Sequence, residues 1–377
     1  MIFIKADHSA DYGVKEGGAF GRVIAGKNVL ANLGQDDSIT SIEPLVKLEK
    51  FANKIVTTDT SMPVEDGMEI HTILEIEMLP KAKEGAEHFY AAVKDGVFPV
   101  DFAASTFVSS DIMLGEVSPY ENLAARSEGA VSIRTDGNGK GRIYISRADM
   151  TSSIYHSIVG HVTNGIELVK MVSPGQRIGI TTIPDRLSVI GMDVKVAESF
   201  LTQRGIKYEN AGYQGDDAVV VDQSPRTTME IVSSGNVKIT SIPRQNLVEV
   251  RMYESSAPQS VEYFRRATGL KEQHVGALNV YFKYEDTLLF KGKTVHVGEL
   301  IPENKPDDGS TVAAGEIGMT NMAAKYIGMV GVRFGPSSKF GPTGEKYAAT
   351  NIIGKVLDPE KLKKAKDKET VYFREVR

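Results

Sequence analysis

The chain has 377 residues, more than one hydrophobic core usually serves, so two or three domains are expected. Its 41% hydrophobic and 25% charged residues describe an ordinary globular protein. A formal charge of -5 gives no general attraction for nucleic acid, and no long apolar run or signal-type amino terminus points to a membrane or to export. A cytoplasmic location is expected. The absence of cysteine excludes disulfides, thiol catalysis and cysteine-ligated zinc or iron–sulfur clusters on this chain, and the seven histidines are scattered with no His-x-x-x-His pair, so no metal and no cofactor is expected.

Residues 1–66 read as a β-rich amino-terminal segment, with Gly21–Gly26 and Ile39–Pro44 as its clearest strands. The opening Met1-Ile2-Phe3-Ile4 already reads as a strand whose pairing partner lies upstream or on another molecule. From about Met68 a half-buried strand begins: Ile70, Thr72, Leu74, Ile76 and Met78 share one face, with His71, Glu75 and Glu77 on the other. Ala86, Phe89, Tyr90 and Val93 then recur at helical spacing, so a helix lays an apolar stripe on the core until Gly96 stops it. The run Gly137-Asn138-Gly139-Lys140-Gly141 lacks phosphate-loop spacing and is followed by a strand. Asn-Gly between two strands instead predicts a hairpin turn.

Beyond Met192 the pattern changes. Val194–Arg204 predicts an amphipathic helix ended by Gly205, Asp217–Asp222 a buried strand and Met229–Val232 another strand, which together make a small α/β connector over 194–236. Earlier features then return in the same order. Gly315-Glu316-Ile317-Gly318-Met319-Thr320 answers Gly129-Ala130-Val131-Ser132-Ile133-Arg134, and Thr350-Asn351-Ile352-Ile353-Gly354-Lys355-Val356 answers His156-Ser157-Ile158-Val159-Gly160-His161-Val162. The chain is a tandem duplication.

The order of elements in each copy resembles the cyclophilin family: an edge strand, a helix with a Glu-His-Phe or Glu-Tyr-Phe phrase (Glu87-His88-Phe89, Glu262-Tyr263-Phe264), Gly-led strands and a closing Gly-x-Val. The resemblance implies a mainly β fold with some α. Two tandem closed cyclophilin-like barrels, at 67–193 and 237–377, would be joined by the small α/β connector and preceded by the β-rich segment. Cyclophilin catalysis uses a groove arginine that hydrogen-bonds the proline of its substrate, in a phrase close to Phe-His-Arg-x-x-x-x-Phe-x-x-Gln-Gly-Gly-Asp. The matching stretch here, Phe102–Asp111, has Ala104 at the arginine position, and Asn279–Tyr284 in the second copy also lacks it. Over nearly its whole length the chain resembles the methanogenesis marker protein 3 family, whose members run longer at the amino terminus. That likeness implies an accessory factor of methyl-coenzyme M reductase, working with the ATP-driven components that activate the reductase.

Pro302–Gly309 is expected to be an acidic surface loop, and Lys361–Lys366 a solvated helix face. The loop from Arg333 to Lys346 holds three glycines and two prolines. It reads either as a long barrel connection or as a docking loop that presents Arg333, Lys339, Phe340 and Lys346 to a protein partner. The expected function is a non-catalytic scaffold in a protein complex, with no nucleic-acid or membrane partner and no catalytic residues. The alternative is a divergent prolyl isomerase with a specific client.

Overall fold

The computed structural model divides the chain into two compact units, Met1–Glu65 and Asp66–Arg377. It describes residues 72–284, 286–291 and 300–376, together with 34, 61–63, 66 and 68. The expected strands of the amino-terminal segment, and Ile70-His71, lie outside the described residues.

The first repeat is a curled sheet of eight strands with helix α1 (Lys83–Ala92) packed on it. Its strands are β1 (Ile73–Met78), β2 (Val97–Pro99), β3 (Phe102–Ala103), β4 (Phe107–Ser110), β5 (Ala130–Arg134), β6 (Ile143–Ser146), β7 (His156–Asn164) and β8 (Arg177–Ile183), with a short helix α2 (Ile166–Met171) after β7. They run in the order β2-β8-β1-β7-β5-β6-β4-β3. Leu74, Ile76 and Met78 turn inward as their alternation predicts, and Phe89 and Tyr90 of α1 are core residues.

The connector comprises α3 (Val194–Gln203), β9 (Lys207–Asn210), β10 (Ala218–Ser224), α4 (Thr228–Ser234) and β11 (Asn236–Pro243), with sheet order β10-β11-β9. The expected strand at Met229–Val232 is instead helix α4. Thr227 accepts a hydrogen bond from the Glu230 N–H while its hydroxyl donates to the Glu230 carboxylate, and Gly235 closes the helix in the left-handed region. This Thr-x-x-Glu capping pair outweighs the β propensity of Ile231 and Val232. The connector also reaches Pro243, so the second repeat begins at Leu247.

The second repeat is a closed barrel of β12 (Leu247–Met252), β13 (Gly276–Tyr284), β14 (Thr287–Lys291), β15 (Glu316–Thr320), β16 (Val330–Arg333), β17 (Thr350–Val356) and β18 (Thr370–Glu375), with helix α5 (Pro258–Thr268) packed against it. Its order, β12-β17-β15-β16-β14-β13-β18, matches that of the first repeat, with β2 (beside β8) and β3 (beside β4) together in the place of β13. Both copies even carry the same bulge. Val131 pairs Gly160 and Ser132 pairs Ile158, leaving out Val159; Ile317 pairs Gly354 and Gly318 pairs Ile352, leaving out Ile353.

Only the second sheet closes, contrary to the expectation of two closed barrels. In that copy the nine residues of β13 pair β18 with their first half and β14 with their second. The first copy splits this strand into β2 and β3. Pro99 offers no N–H to a ladder, and the chain changes partner across the next peptide: Val100 N–H donates to the Gln176 carbonyl and Asp101 N–H to the Ser109 carbonyl, each at 2.9 Å.

A second shared device is absent from the sequence expectations. The Glu121 carboxylate accepts the N–H groups of Glu84 (3.1 Å) and Gly85 (2.8 Å) at the start of α1, and Glu303 accepts those of Gln259 (3.2 Å) and Ser260 (3.1 Å) at the start of α5. The next residue in each copy, Asn122 or Asn304, donates its side-chain amide to the Ile158 or Ile352 carbonyl. Glu303 therefore turns inward from what reads as an acidic surface loop. A carboxylate placed on free N–H groups at a helix start gains both hydrogen bonds and the favourable end of the helix dipole. Replacing Glu121 or Glu303 by alanine should cost about 1–3 kcal/mol, read as a lowered urea midpoint. Gln should lose less than alanine, because it keeps one acceptor.

Candidate functional site

Alternation along β4, β5 and β6 sends Val108, Val131, Ile133, Ile143 and Ile145 into the first core, so Phe107, Ser109, Ser132, Tyr144 and Ser146 lie on the outer face. There Tyr144 is flanked edge-on by Phe107 (5.2 Å between ring centres) and His156 (4.8 Å), and Phe102 continues the row beside Phe107. Tyr144 and His156 are buried, whereas Phe102 is exposed. The row is packed on itself. Burial holds His156 down at about 4, helped by the positive charges of Arg126 and Arg134, so the imidazole is neutral at neutral pH. Besides Arg126 and Arg134, a third guanidinium lies near the row. Arg142, next to Tyr144 in sequence, is held by both oxygens of Asp111.

The register puts Gly318 and Gly331 of the second copy where the first has Ser132 and Tyr144. Among the described residues no aromatic ring packs against that face. Residues Gly341-Pro342-Thr343 cross it instead. A Cβ on Gly331 would lie 2.5 Å from the Pro342 carbonyl oxygen and 2.7 Å from Thr343 Cα, and one on Gly318 would lie 2.9 Å from Pro342 Cδ. Thr343 and Thr350 share a buried 2.7 Å hydroxyl pair. The loop supplies the cover that Tyr144 supplies in the first copy.

The same packing fixes the predicted docking residues. Tyr347 donates its hydroxyl to the Ser310 or Ser337 carbonyl (2.9 Å each), Ser337 accepts the Phe340 N–H at 3.0 Å, and Phe340 bridges to Lys346. Lys339, Phe340 and Lys346 line one shallow surface groove with Asp308, Ser338 and Tyr347. Phe340 is 43% exposed. Arg333 is not part of this group: it ends β16, half-buried, with Nη1 3.4 Å from the Thr287 hydroxyl. Among the described residues no cluster of three metal-ligating side chains occurs, and no helix is long and apolar enough to cross a membrane.

Sequence reasoning also passed over Tyr281, Phe282 and Tyr284, which stand exposed at the far end of β13. Successive aromatic residues at a strand end, flanked by Lys283, were the available signal.

A family model described as "Putative peptidyl-prolyl cis-trans isomerase domain" matches residues 248–376, the closed barrel. UPF0288 proteins of methanogens match all or nearly all of the chain. That of Methanosarcina barkeri is 44% identical over 378 residues, all of this chain and 73% of the relative. The chain belongs to the UPF0288 family. The Methanothermobacter thermautotrophicus protein is 38% identical over 380 residues (72% of its length), and that of Methanopyrus kandleri 35% over 369 residues, covering 95% of this chain and 70% of the relative. In this UPF0288 protein the outer face of each repeat is thus covered by its own atoms, by two routes.

The cover can be tested directly. Gly331→Ala should push the 341–343 backbone off the face at a cost of about 1–3 kcal/mol, read as a lowered Tm together with faster tryptic cleavage at Lys339 and Lys346. The His156 effect has a definite sign. An unfolded-state imidazole titrates near 6.5 and the folded one at about 4, so the contribution is complete above pH 6.5 and is lost as pH falls towards 4. His156→Phe should flatten the fall of Tm with pH across that window.

Proposed function

We propose that this protein is a non-catalytic scaffold within a multiprotein complex of methanogenic archaea, and that the complex carries out ATP-dependent activation of methyl-coenzyme M reductase. The carrying observation is that, among the described residues, neither repeat leaves its outer face open. The first packs Tyr144 and His156 into the face and commits Arg142 to Asp111, and the second lays Gly341–Thr343 across it. Lowering the roughly 20 kcal/mol barrier to proline isomerisation needs a donor at the twisted amide. The methanogen origin of the UPF0288 relatives supports the setting, and the resemblance to methanogenesis marker protein 3 supports the reductase as partner. Lys339, Phe340 and Lys346 form the leading contact, because a pinned loop presents an apolar ring between two cations at low entropic cost.

Divergent prolyl isomerisation is the second reading, favoured by the description of the family model for 248–376. Two measurements separate the readings. Proline-limited refolding of a model substrate should proceed at the uncatalysed rate with this protein present. Tagged protein should co-purify reductase activation components from methanogen cytoplasm, and Phe340→Ala with Lys339→Ala should weaken that association while leaving the fold intact. Refolding acceleration that tracks the protein through purification favours the isomerase.

A further inference from the structure

We propose that the free edge of β13 from Tyr281 to Tyr284 is a docking site for an extended acidic segment of a partner protein, which adds to it as a strand. Among the described residues the barrel pairs this strand on one side only over that stretch. β18 accompanies β13 through Gly276–Asn279, and the last bonds on that side join Val280 to Glu369 (2.8 Å) and to Lys368 (2.9 Å). From Phe282 to Tyr284 only β14 is paired, through Leu289, Leu288 and Thr287. Among the described residues the other edge carries no strand, and such an edge is a template for an added one.

The side chains along the edge suit an incoming chain. Tyr281, Phe282 and Tyr284 are 51%, 37% and 63% exposed. Water-facing rings in succession are costly unless a partner covers them. The first repeat has no counterpart to this projection, since β3 is two residues long and turns back at once, Ala104 N–H donating to the Phe107 carbonyl. The extension is peculiar to the second copy.

Charge sets the chemistry of the occupant. Between Pro359 and Glu369 lie five lysines against three acidic residues, in a chain whose net charge is -5. This segment runs beside the open edge: Lys283 Nζ donates to the Lys363 carbonyl at 2.8 Å and Lys368 N–H to the Val280 carbonyl. Lys291 stands over the Tyr281 ring, 6.0 Å from its centre, and Lys363, Lys364, Lys366 and Lys368 are exposed. A carboxylate-bearing strand would meet this rim on arrival. Exposed aromatics among lysines also suit a single-stranded nucleic acid, but a nucleic acid leaves the unpaired backbone unused, and a strand satisfies it.

The test uses the whole chain and a fluorescein-labelled decapeptide that alternates Glu and Val. The unmodified peptide should bind, with affinity that falls as salt rises. Tyr281→Ala with Tyr284→Ala, and separately Lys364→Glu with Lys366→Glu, should each weaken it about tenfold. The same peptide with every amide N-methylated should not bind. Phe340→Ala with Lys339→Ala should leave binding unchanged, which separates this edge from the docking loop. The proposal is overturned if the peptide does not bind, if N-methylation makes no difference, or if oligothymidylate binds more tightly than the peptide.

Discussion

A carboxylate turned onto the first N–H groups of a helix is the constraint on which each repeat depends. Helices of ten or eleven residues, such as α1 and α5, are marginal alone in water. Neither has a side-chain cap from its own N-cap residue, Ala82 or Ala257. Glu121 and Glu303 supply that cap from more than thirty residues away. The following asparagine ties the same loop to the carbonyl of Ile158 or Ile352, the residue before the bulge. One dipeptide thus joins helix, loop and central strand. The bulge, the helix and the loop recur together because none holds its place without the others.

The two copies solve one packing problem differently. A sheet face lined by small residues needs a cover that excludes water, and the first copy grows it from the strand as Tyr144. The second has glycine at that position and brings in Pro342 from a loop. Glycine is required there because the cover is backbone: any Cβ on Gly331 would overlap a carbonyl oxygen. Filling the face from a loop also frees that loop's far side. Phe340 is held outward by the contacts that bury Gly341–Thr343, so its exposure is a by-product of covering that face.

What was legible in the sequence follows the range of the forces. Short-range periodicity located β1, α1, α3, the 130–146 hairpin and the duplication, because alternating or helical burial is written in adjacent residues. Where a local cap competed with β propensity, as at Thr227–Glu230, reading the apolar run alone gave a strand in place of helix α4. The break between β2 and β3 had a visible cause in Pro99, but its consequence, an unclosed sheet, depends on strands far away in the chain. Long-range polar contacts were hidden further. Nothing adjacent to Glu303 shows that it faces inward; the signal lay in the repeat, as Pro-Tyr-Glu-Asn at 119–122 matched by Pro-Glu-Asn at 302–304. At the site, Lys339, Phe340 and Lys346 came together because they share a loop, whereas Arg333 was separated by belonging to the strand.

The connector joins the two repeats through opposite faces. Helix α4 packs on the first repeat, where Thr228 donates both its N–H and its hydroxyl to Glu87 at 3.0 Å, and Arg186 holds the other Glu87 oxygen at 2.7 Å. Val219 and Val221, on the opposite side of the connector, pack with Leu247, Val275 and Tyr372 of the second repeat. Direct bonds add to this: Lys94 reaches the carbonyls of Leu270 and Lys271, and Arg266 reaches both Glu116, at 2.7 Å, and the Leu114 carbonyl. These contacts consume the α1 end and the 111–116 loop of the first repeat and, from the second, the α5 end and the turn after it. The 336–346 loop and the projecting end of β13 of the second repeat take no part in these contacts, nor do the exposed Phe102, Ile154 and Met171 of the first. Duplication yields two copies bridged by one connector, which meets the first through Glu87 and the second through Leu247 and Val275.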